Sequence, residues 1–354
     1  MSTPIHFESA VRNRYSKASQ ARTEALCCAV EYNREYLKVI PQEVIERDYG
    51  CGDPSKHVKP GETVLDLGSG TGKICFISAQ VVGANGRVIG VDMNDDMLAL
   101  ARKHAPAVGD AIGFHNVEFR KGRIQDLALD LEKLDASLKS NPIGDANSFL
   151  AAEARAQELR LTRPLIATAS VDVVVSNCVL NLVEPRAKTE LFGEIFRVLK
   201  PGGRAVISDI VSDQAVPVEL QHDPELWSGC ISGALLEEEF IQAFVRAGFY
   251  GVRILNRDTQ PWRTVVGIEF RSVTIEAFKE IVGSDSQKSH TIIYKGPFRE
   301  VVDDHGRKME RGKRYVVGEP AFNRYTRAPY ESCFEADRVT NSQAATNGCG
   351  PSCC

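Results

Sequence analysis

Ten cysteines are distributed along the 354-residue chain, and several are set around one glycine-rich loop. The loop reads Asp66-Leu67-Gly68-Ser69-Gly70-Thr71-Gly72-Lys73. The thiols are the doublet Cys27-Cys28, Cys51 in Gly50-Cys51-Gly52, Cys178 in Ser176-Asn177-Cys178, and Cys230 in Gly229-Cys230-Ile231. Glycine lacks a Cβ, so such a loop can turn sharply and bring backbone close to a nucleotide-like cofactor. Thiolates prefer soft partners, and a cofactor bound beside several of them points to chemistry on a thiophilic element.

What ten cysteines do depends on where the chain resides. Residues 1–20 carry charges throughout and hold no apolar run long enough for a signal peptide or a membrane span, so the expected location is the cytoplasm. Reducing conditions there disfavour structural disulfides and make catalytic or metal-binding thiols the better reading. The cysteines form no pair of CxxC sequences and the seven histidines no HExxH or HxxxH pattern, so a zinc hydrolase is not expected. A net charge of −4 gives no reason to expect nucleic acid or an anionic membrane as partner.

The elements that must position these residues follow from periodicity. Val64 to Leu67 reads as a strand, the glycine loop as a tight turn, and Ile74 to Ala79 as a helix. Arg87 to Asp92 repeats the strand pattern, and Asn94 to His104 reads as a helix starting at an Asn cap. Further strands are expected at Val117–Arg120, Val171–Val175 and Arg204–Asp209, with a helix from Arg186 to Leu199 stopped by Pro201-Gly202-Gly203. A polar stretch at about 129–168, with one helical piece at Ala151–Leu161, reads as an insertion. Leu236–Ala247 reads as a helix, and Gly251–Leu255 with Thr264–Arg271 as a last antiparallel pair. Strand-like runs at Thr291–Tyr294 and Arg314–Val317 around the turn Asp303–Gly306 mark a separate small segment.

The residues leave two cofactors open. Asp92, twenty residues beyond Gly72, stands where a strand end can hold ribose hydroxyls. The GxGxG spacing departs from the dinucleotide fingerprint GxGxxG and favours S-adenosylmethionine, with NAD as the alternative. Val64 to Gly72, Asp92 and Leu199-Lys200-Pro201-Gly202-Gly203 together resemble the class I S-adenosylmethionine-dependent methyltransferases. That resemblance implies an α/β, Rossmann-like, doubly wound sheet. It also implies a cofactor set of Asp66, Gly68, Ser69, Gly70, Gly72, Asp92, Met93, Ile124 and Asn177.

Cys75 lies on an apolar helix face and reads as structural. Cys178 directly follows the fourth strand, where open α/β sheets place their ligands. Tyr49-Gly50-Cys51-Gly52, Ser176-Asn177-Cys178-Val179-Leu180-Asn181-Leu182 and Gly229-Cys230-Ile231-Ser232-Gly233-Ala234-Leu235 closely resemble the arsenite methyltransferases, in order along the chain. The resemblance implies that Cys178 and Cys230 hold trivalent arsenic. It makes Cys51 a further catalytic and arsenic-binding thiol, with Cys27 or Cys28 as its redox partner. It implies methyl transfer to arsenic in detoxification, with glutathione or thioredoxin as external reductant.

The chain is therefore expected to carry an N-terminal cap with thiols at 1–60. A methyltransferase domain would follow at 61–285, including an arsenic-binding segment at about 213–235. A small C-terminal domain is expected at 286–335, and a flexible tail with Cys349, Cys353 and Cys354 at 336–354. Two other readings compete: a methyltransferase of a small metabolite with incidental cysteines, and a metalloid-sequestering protein without turnover.

Overall fold

The computed structural model describes residues 7–21, 30–281 and 289–337. The chain divides into two units, Met1–Lys279 and Glu280–Cys354. In the first unit the strands are β1 (Thr63–Leu67), β2 (Arg87–Asp92), β3 (Val117–Lys121), β4 (Val171–Asn177), β5 (Leu199–Ser212), β6 (Leu235–Leu236), β7 (Tyr250–Arg257), β8 (Arg263–Val265) and β9 (Ile268–Phe278). They form one sheet in the order β3-β2-β1-β4-β5-β9-β7, with β6 beside β5 and β8 beside β9. The first five run parallel and β9 returns antiparallel to β5. Chain order reverses between β1 and β4, and that switch point is where such sheets take ligands.

The helices of this unit are α1 (Phe7–Ala18), α2 (Arg34–Leu37), α3 (Gln42–Glu46), α4 (Lys73–Val82), α5 (Asp95–Ile112), α6 (Leu131–Ser140), α7 (Ala146–Thr162), α8 (Lys188–Val198), α9 (Val218–Gln221), α10 (Pro224–Ser228) and α11 (Glu237–Arg246). Side chains alternate across the sheet, as the strand period requires. Leu65, Leu67 and Val174 pack on one face with Phe192 of α8 and Phe244 of α11. Val64, Val173 and Val175 pack on the other with Phe76 of α4 and Leu98 of α5.

Several expectations need revision. α5 begins at its Asn94 cap, whose side chain accepts from the Asp96 and Met97 N–H groups, but it runs past His104 and through Pro106 to Ile112. Burial of Val108 against the core outweighs the hydrogen bond that Pro106 cannot make. The stretch 129–168 holds two helices, α6 and α7, rather than one. Thr264–Arg271 is not a single strand, because Val266-Gly267 turns the chain between β8 and β9.

The second unit has β10 (Ser289–Tyr294), β11 (Glu300–Val302), β12 (Lys308–Glu310), β13 (Arg314–Gly318), α12 (Glu319–Tyr325) and β14 (Phe334–Asp337). β10 pairs with β13 and β14, while the turn at Asp303–Gly306 closes a separate β11–β12 hairpin. Ile292, Tyr294, Met309 and Phe334 form its core. Among the described residues no helix is long and apolar enough to cross a membrane.

Candidate functional site

The glycine loop is built to hold a ligand against the end of β1. Gly68, Gly70 and Gly72 have φ of 69°, 51° and 93°, the left-handed region that a side chain disfavours. A Cβ on Gly68 would stand 2.4 Å from Val179 Cγ1, so the loop also needs the space. At the end of β2, Asp92 Oδ2 accepts from the Gly70 N–H at 2.9 Å and Oδ1 from the Asn94 N–H at 2.8 Å. Burial pushes the Asp92 carboxyl up while these backbone donors oppose the shift. Asp66 lies beneath the loop, pushed well up by burial, with Cys75 Sγ donating to its Oδ2 at 3.2 Å.

Gly68, Gly70, Asp92, Met93 and Ile124 line one cavity, together with Cys178. Asp66, Ser69 and Gly72 shape the loop and do not line it. The Asp48 carboxylate is also in the wall, with Oδ2 buried, 3.2 Å from Lys73 Nζ and without a hydrogen-bond partner. This fits a cofactor with a charged amino-acid end and a ribose. The loop gives backbone close approach, Asp92 gives a ribose acceptor, and Asp48 brings a carboxylate ion-paired to Lys73 into the wall.

The three expected thiols meet at the carboxyl ends of β4 and β5. Cys51, Cys178 and Cys230 share a small apolar cluster with Ile210, Ile231 and Phe270. Cys178 lies beside both Cys230 and Cys51, whose thiols, together with burial, push its own well up. Burial also raises Cys51. Among the described residues no three Cys, His, Asp or Glu groups converge tightly enough to hold a metal ion. Cys178 is the neighbour that the other two thiols share.

Each thiol is held by backbone geometry from a different part of the chain. Cys178 and Cys230 have φ of 64° and 61°, a conformation costing about 1–3 kcal/mol for a residue with a Cβ. The Cys178 N–H donates to the Ser208 carbonyl at 2.7 Å, and the Cys230 N–H to the Trp227 carbonyl at 3.1 Å. Asp209 holds the loop after Cys178 through the Leu180 N–H at 2.8 Å, and the Lys188 ammonium holds the loop after Cys230 through the Gly233 carbonyl. Burial pushes the Asp209 carboxyl up and the Lys188 ammonium down.

The Cys51 arm rests on Asn177. Asn177 Oδ1 accepts from the Cys51 N–H at 2.9 Å and the Gly52 N–H at 3.0 Å, and Nδ2 donates to the Gly52 carbonyl at 2.8 Å. Asn177 is thus the clamp on this arm, a structural role beside its expected place at the cofactor. The glycines beside Cys51 are required by close approach. A Cβ on Gly50 would lie 2.1 Å from Asn177 Nδ2, and one on Gly52 2.4 Å from Ser208 Oγ. Ser272 Oγ completes the arm by donating to the Cys51 carbonyl at 2.6 Å.

Cys27 and Cys28, and the tail cysteines 349, 353 and 354, lie outside the described residues. α1 and the Cys51 arm also bring Glu8, Arg12, Tyr15, Asp48 and Tyr49 to the cavity, residues outside the expected cofactor set. Only Tyr49, adjoining the Gly50-Cys51-Gly52 motif, carried a usable signal.

Comparison with known proteins follows the same division. Residues 58–248 match the family described as a methyltransferase domain, and residues 282–351 a domain of unknown function (DUF8838). The chain is 32% identical over 327 residues to a protein of Aquipseudomonas alcaligenes named arsenite methyltransferase, covering 87% of this chain and 84% of that one. It is 29% identical over 300 residues to the arsenite methyltransferase of Mus musculus, covering 81% and 70%. Among solved structures it is similar to an arsenic(III) S-adenosylmethionine methyltransferase of Chlamydomonas reinhardtii. The TM-score is 0.58 at 28% identity, covering 87% of this chain and 96% of that one.

Proposed function

The chain belongs to the arsenite methyltransferase family of class I S-adenosylmethionine-dependent methyltransferases, and from that premise we propose that it methylates trivalent arsenic held on Cys51, Cys178 and Cys230. The observation that carries the substrate is the thiol cluster itself. Three cysteines from three separate segments meet beside the cofactor cavity, and one of them, Cys178, belongs to both.

Bound S-adenosylmethionine supplies an electrophilic methyl on a sulfonium. Asp92 would hold the ribose hydroxyls, the Gly68–Gly72 backbone the methionine end, and Asp48 the charged amino group. Trivalent arsenic is soft and exchanges its oxygen ligands for thiolates, releasing water as each thiol proton joins a departing hydroxide. Its lone pair remains. With Cys51, Cys178 and Cys230 holding the arsenic, the As–C bond would form from that pair as the S–C bond of the sulfonium breaks, with S-adenosylhomocysteine as the leaving product. No proton leaves the nucleophile, so a general base is unnecessary. The protein contributes alignment and exclusion of water.

Arsenic is then formally pentavalent, and two electrons return it to the trivalent state. Two thiols can supply them by forming a disulfide, with Cys51 as one member. Its partner would be Cys27 or Cys28, and glutathione or thioredoxin would reopen the bond. The experiment is incubation with methyl-labelled S-adenosylmethionine, glutathione and arsenite, with arsenic species separated by element-detected chromatography. Label in methylarsenicals supports the reading. Absence of label, with the cofactor shown to bind, rejects it in favour of a small-metabolite substrate or a sequestering role.

A further inference from the structure

Tyr15 lies on α1, an element without a part in the chemistry described so far. Its side chain is in the wall of the cofactor cavity. The same phenol lies close enough to Cys230 and Cys178 that burial and these two thiols push its pKa well up. It therefore stands next to both halves of the site, where methyl and arsenic would meet.

The position of Tyr15 is fixed by its helix. On the cofactor side, Asn94 Nδ2 donates to the Arg12 carbonyl and Ser16 Oγ, each at 3.1 Å, and Glu8 accepts from Arg123 at 2.8 Å and Gln125 at 3.1 Å. On the thiol side, Arg14 Nη1 donates to the Glu225 carbonyl at 2.7 Å and to Ser228 Oγ at 3.0 Å, two residues before Cys230. The Phe7 and Trp227 rings pack there with centroids 4.2 Å apart. Arg14 and Ser16 flank Tyr15 directly, so α1 ties the two half-sites together with the phenol between them.

We propose that Tyr15 is a positioning residue for methyl transfer, its hydroxyl donating to the Cys230 sulfur and its ring closing the junction between cofactor and thiols against water. This rests on the reading that the thiols hold arsenic. A thiolate bound to arsenic keeps lone pairs that can accept from a phenol. That hydrogen bond fixes the rotation of the Cys230 side chain, and with it the direction of the arsenic lone pair. Burial and the neighbouring thiols raise the phenol pKa, so it stays a donor through the neutral range. Misplacement of a reacting atom by about 1 Å can cost about a hundredfold in rate, which sets the scale of the effect.

The test compares the full-length protein with Tyr15→Phe and Tyr15→Ala. Three quantities are read: the single-turnover rate of methyl transfer, and the Kd of S-adenosylmethionine and of arsenite. Tyr15→Phe should lower the rate about tenfold or more with both Kd values within about threefold, and Tyr15→Ala should lower it further. A Tyr15→Phe rate within about twofold of the parent overturns the proposal, as does a rate loss matched by equal losses of both affinities. A second readout stands apart from turnover. Arsenite added to the parent protein should give a tyrosine ultraviolet difference spectrum that is missing from Tyr15→Phe. If the parent binds arsenite but forms no methylarsenical, the functional reading fails alone, and this spectrum still decides Tyr15: equal spectra in the two proteins overturn its contact with the thiols.

Discussion

Cys230 Sγ donates to the carbonyl of Cys178 at 3.1 Å, and both residues have backbone φ in the left-handed region, at 61° and 64°. Two side-chain-bearing residues held in this disfavoured conformation face one another across two loops 52 positions apart. Strain of this kind persists where surrounding structure over-determines it, and it turns both thiols toward the cavity end of the sheet.

Cys178→Ser or Cys230→Ser should lower arsenic methylation by about a hundredfold or more, because oxygen does not replace sulfur as a ligand for a soft element. Cofactor affinity should stay within about threefold, since neither change touches the glycine loop or Asp92. Product chromatography and equilibrium binding of S-adenosylmethionine read the two effects separately. Asp92→Ala should do the reverse, weakening the cofactor by about tenfold or more while arsenite still binds.

Asn177→Ala removes the acceptor for two backbone N–H groups and a donor to a third backbone atom. At about 1 kcal/mol per bond the loss of stability should be about 2–4 kcal/mol, read as a lower denaturation midpoint. Freed of its clamp, the Cys51 arm should leave the cluster. Arsenic X-ray absorption should then report two sulfur ligands where the parent protein has three; three sulfurs in the variant would show that Asn177 does not place Cys51.

Gly50→Ala and Gly52→Ala put a Cβ into Asn177 and Ser208 respectively, at distances no real contact reaches. Overpacking of this kind costs about 1–3 kcal/mol. Thermal denaturation should show it, and arsenite stoichiometry should fall with it. Unchanged melting in both would mean that the arm is free to move aside.

Arsenite loading should depend on pH in one direction. The Cys178 and Cys51 thiols have raised pKa values, so both are protonated at neutral pH and the reactive thiolate grows as pH rises. The loading rate, followed by stopped-flow fluorescence, should climb about tenfold per pH unit through the neutral range. The folded state prefers the neutral thiol. Its stabilising contribution is therefore full below the ordinary thiol value of 9.0 and declines as pH rises through the higher folded value, which melts in alkaline buffers would show. A flat loading rate would mean that the thiols are already ionised.

The parallel strands were legible because each is a short apolar run ending at a loop, and β2 occupies the expected Arg87–Asp92. The glycine loop and Asp92 were legible because their contacts are local: Gly70 and Asp92 meet across adjacent strands. The clamp made by Asn177 was not legible because its partners, Cys51 and Gly52, lie 126 and 125 positions away, and a side-chain amide beside a thiol gives no sign of which neighbour it will clamp. Tyr15 was missed for the same reason, since only the fold brings α1 against Cys230. The end of α5 was misjudged because a proline is a strong local signal and burial of Val108 is a tertiary one.

The most direct measurement is a single turnover on preloaded protein. Arsenite is bound to the reduced protein, the excess is removed by gel filtration, and methyl-labelled S-adenosylmethionine is added without free thiol. The account predicts one labelled methyl per bound arsenic, recovered as a methylarsenical in the parent and missing in Cys178→Ser. Bound arsenic that stays unlabelled while S-adenosylmethionine occupies the cavity would contradict it.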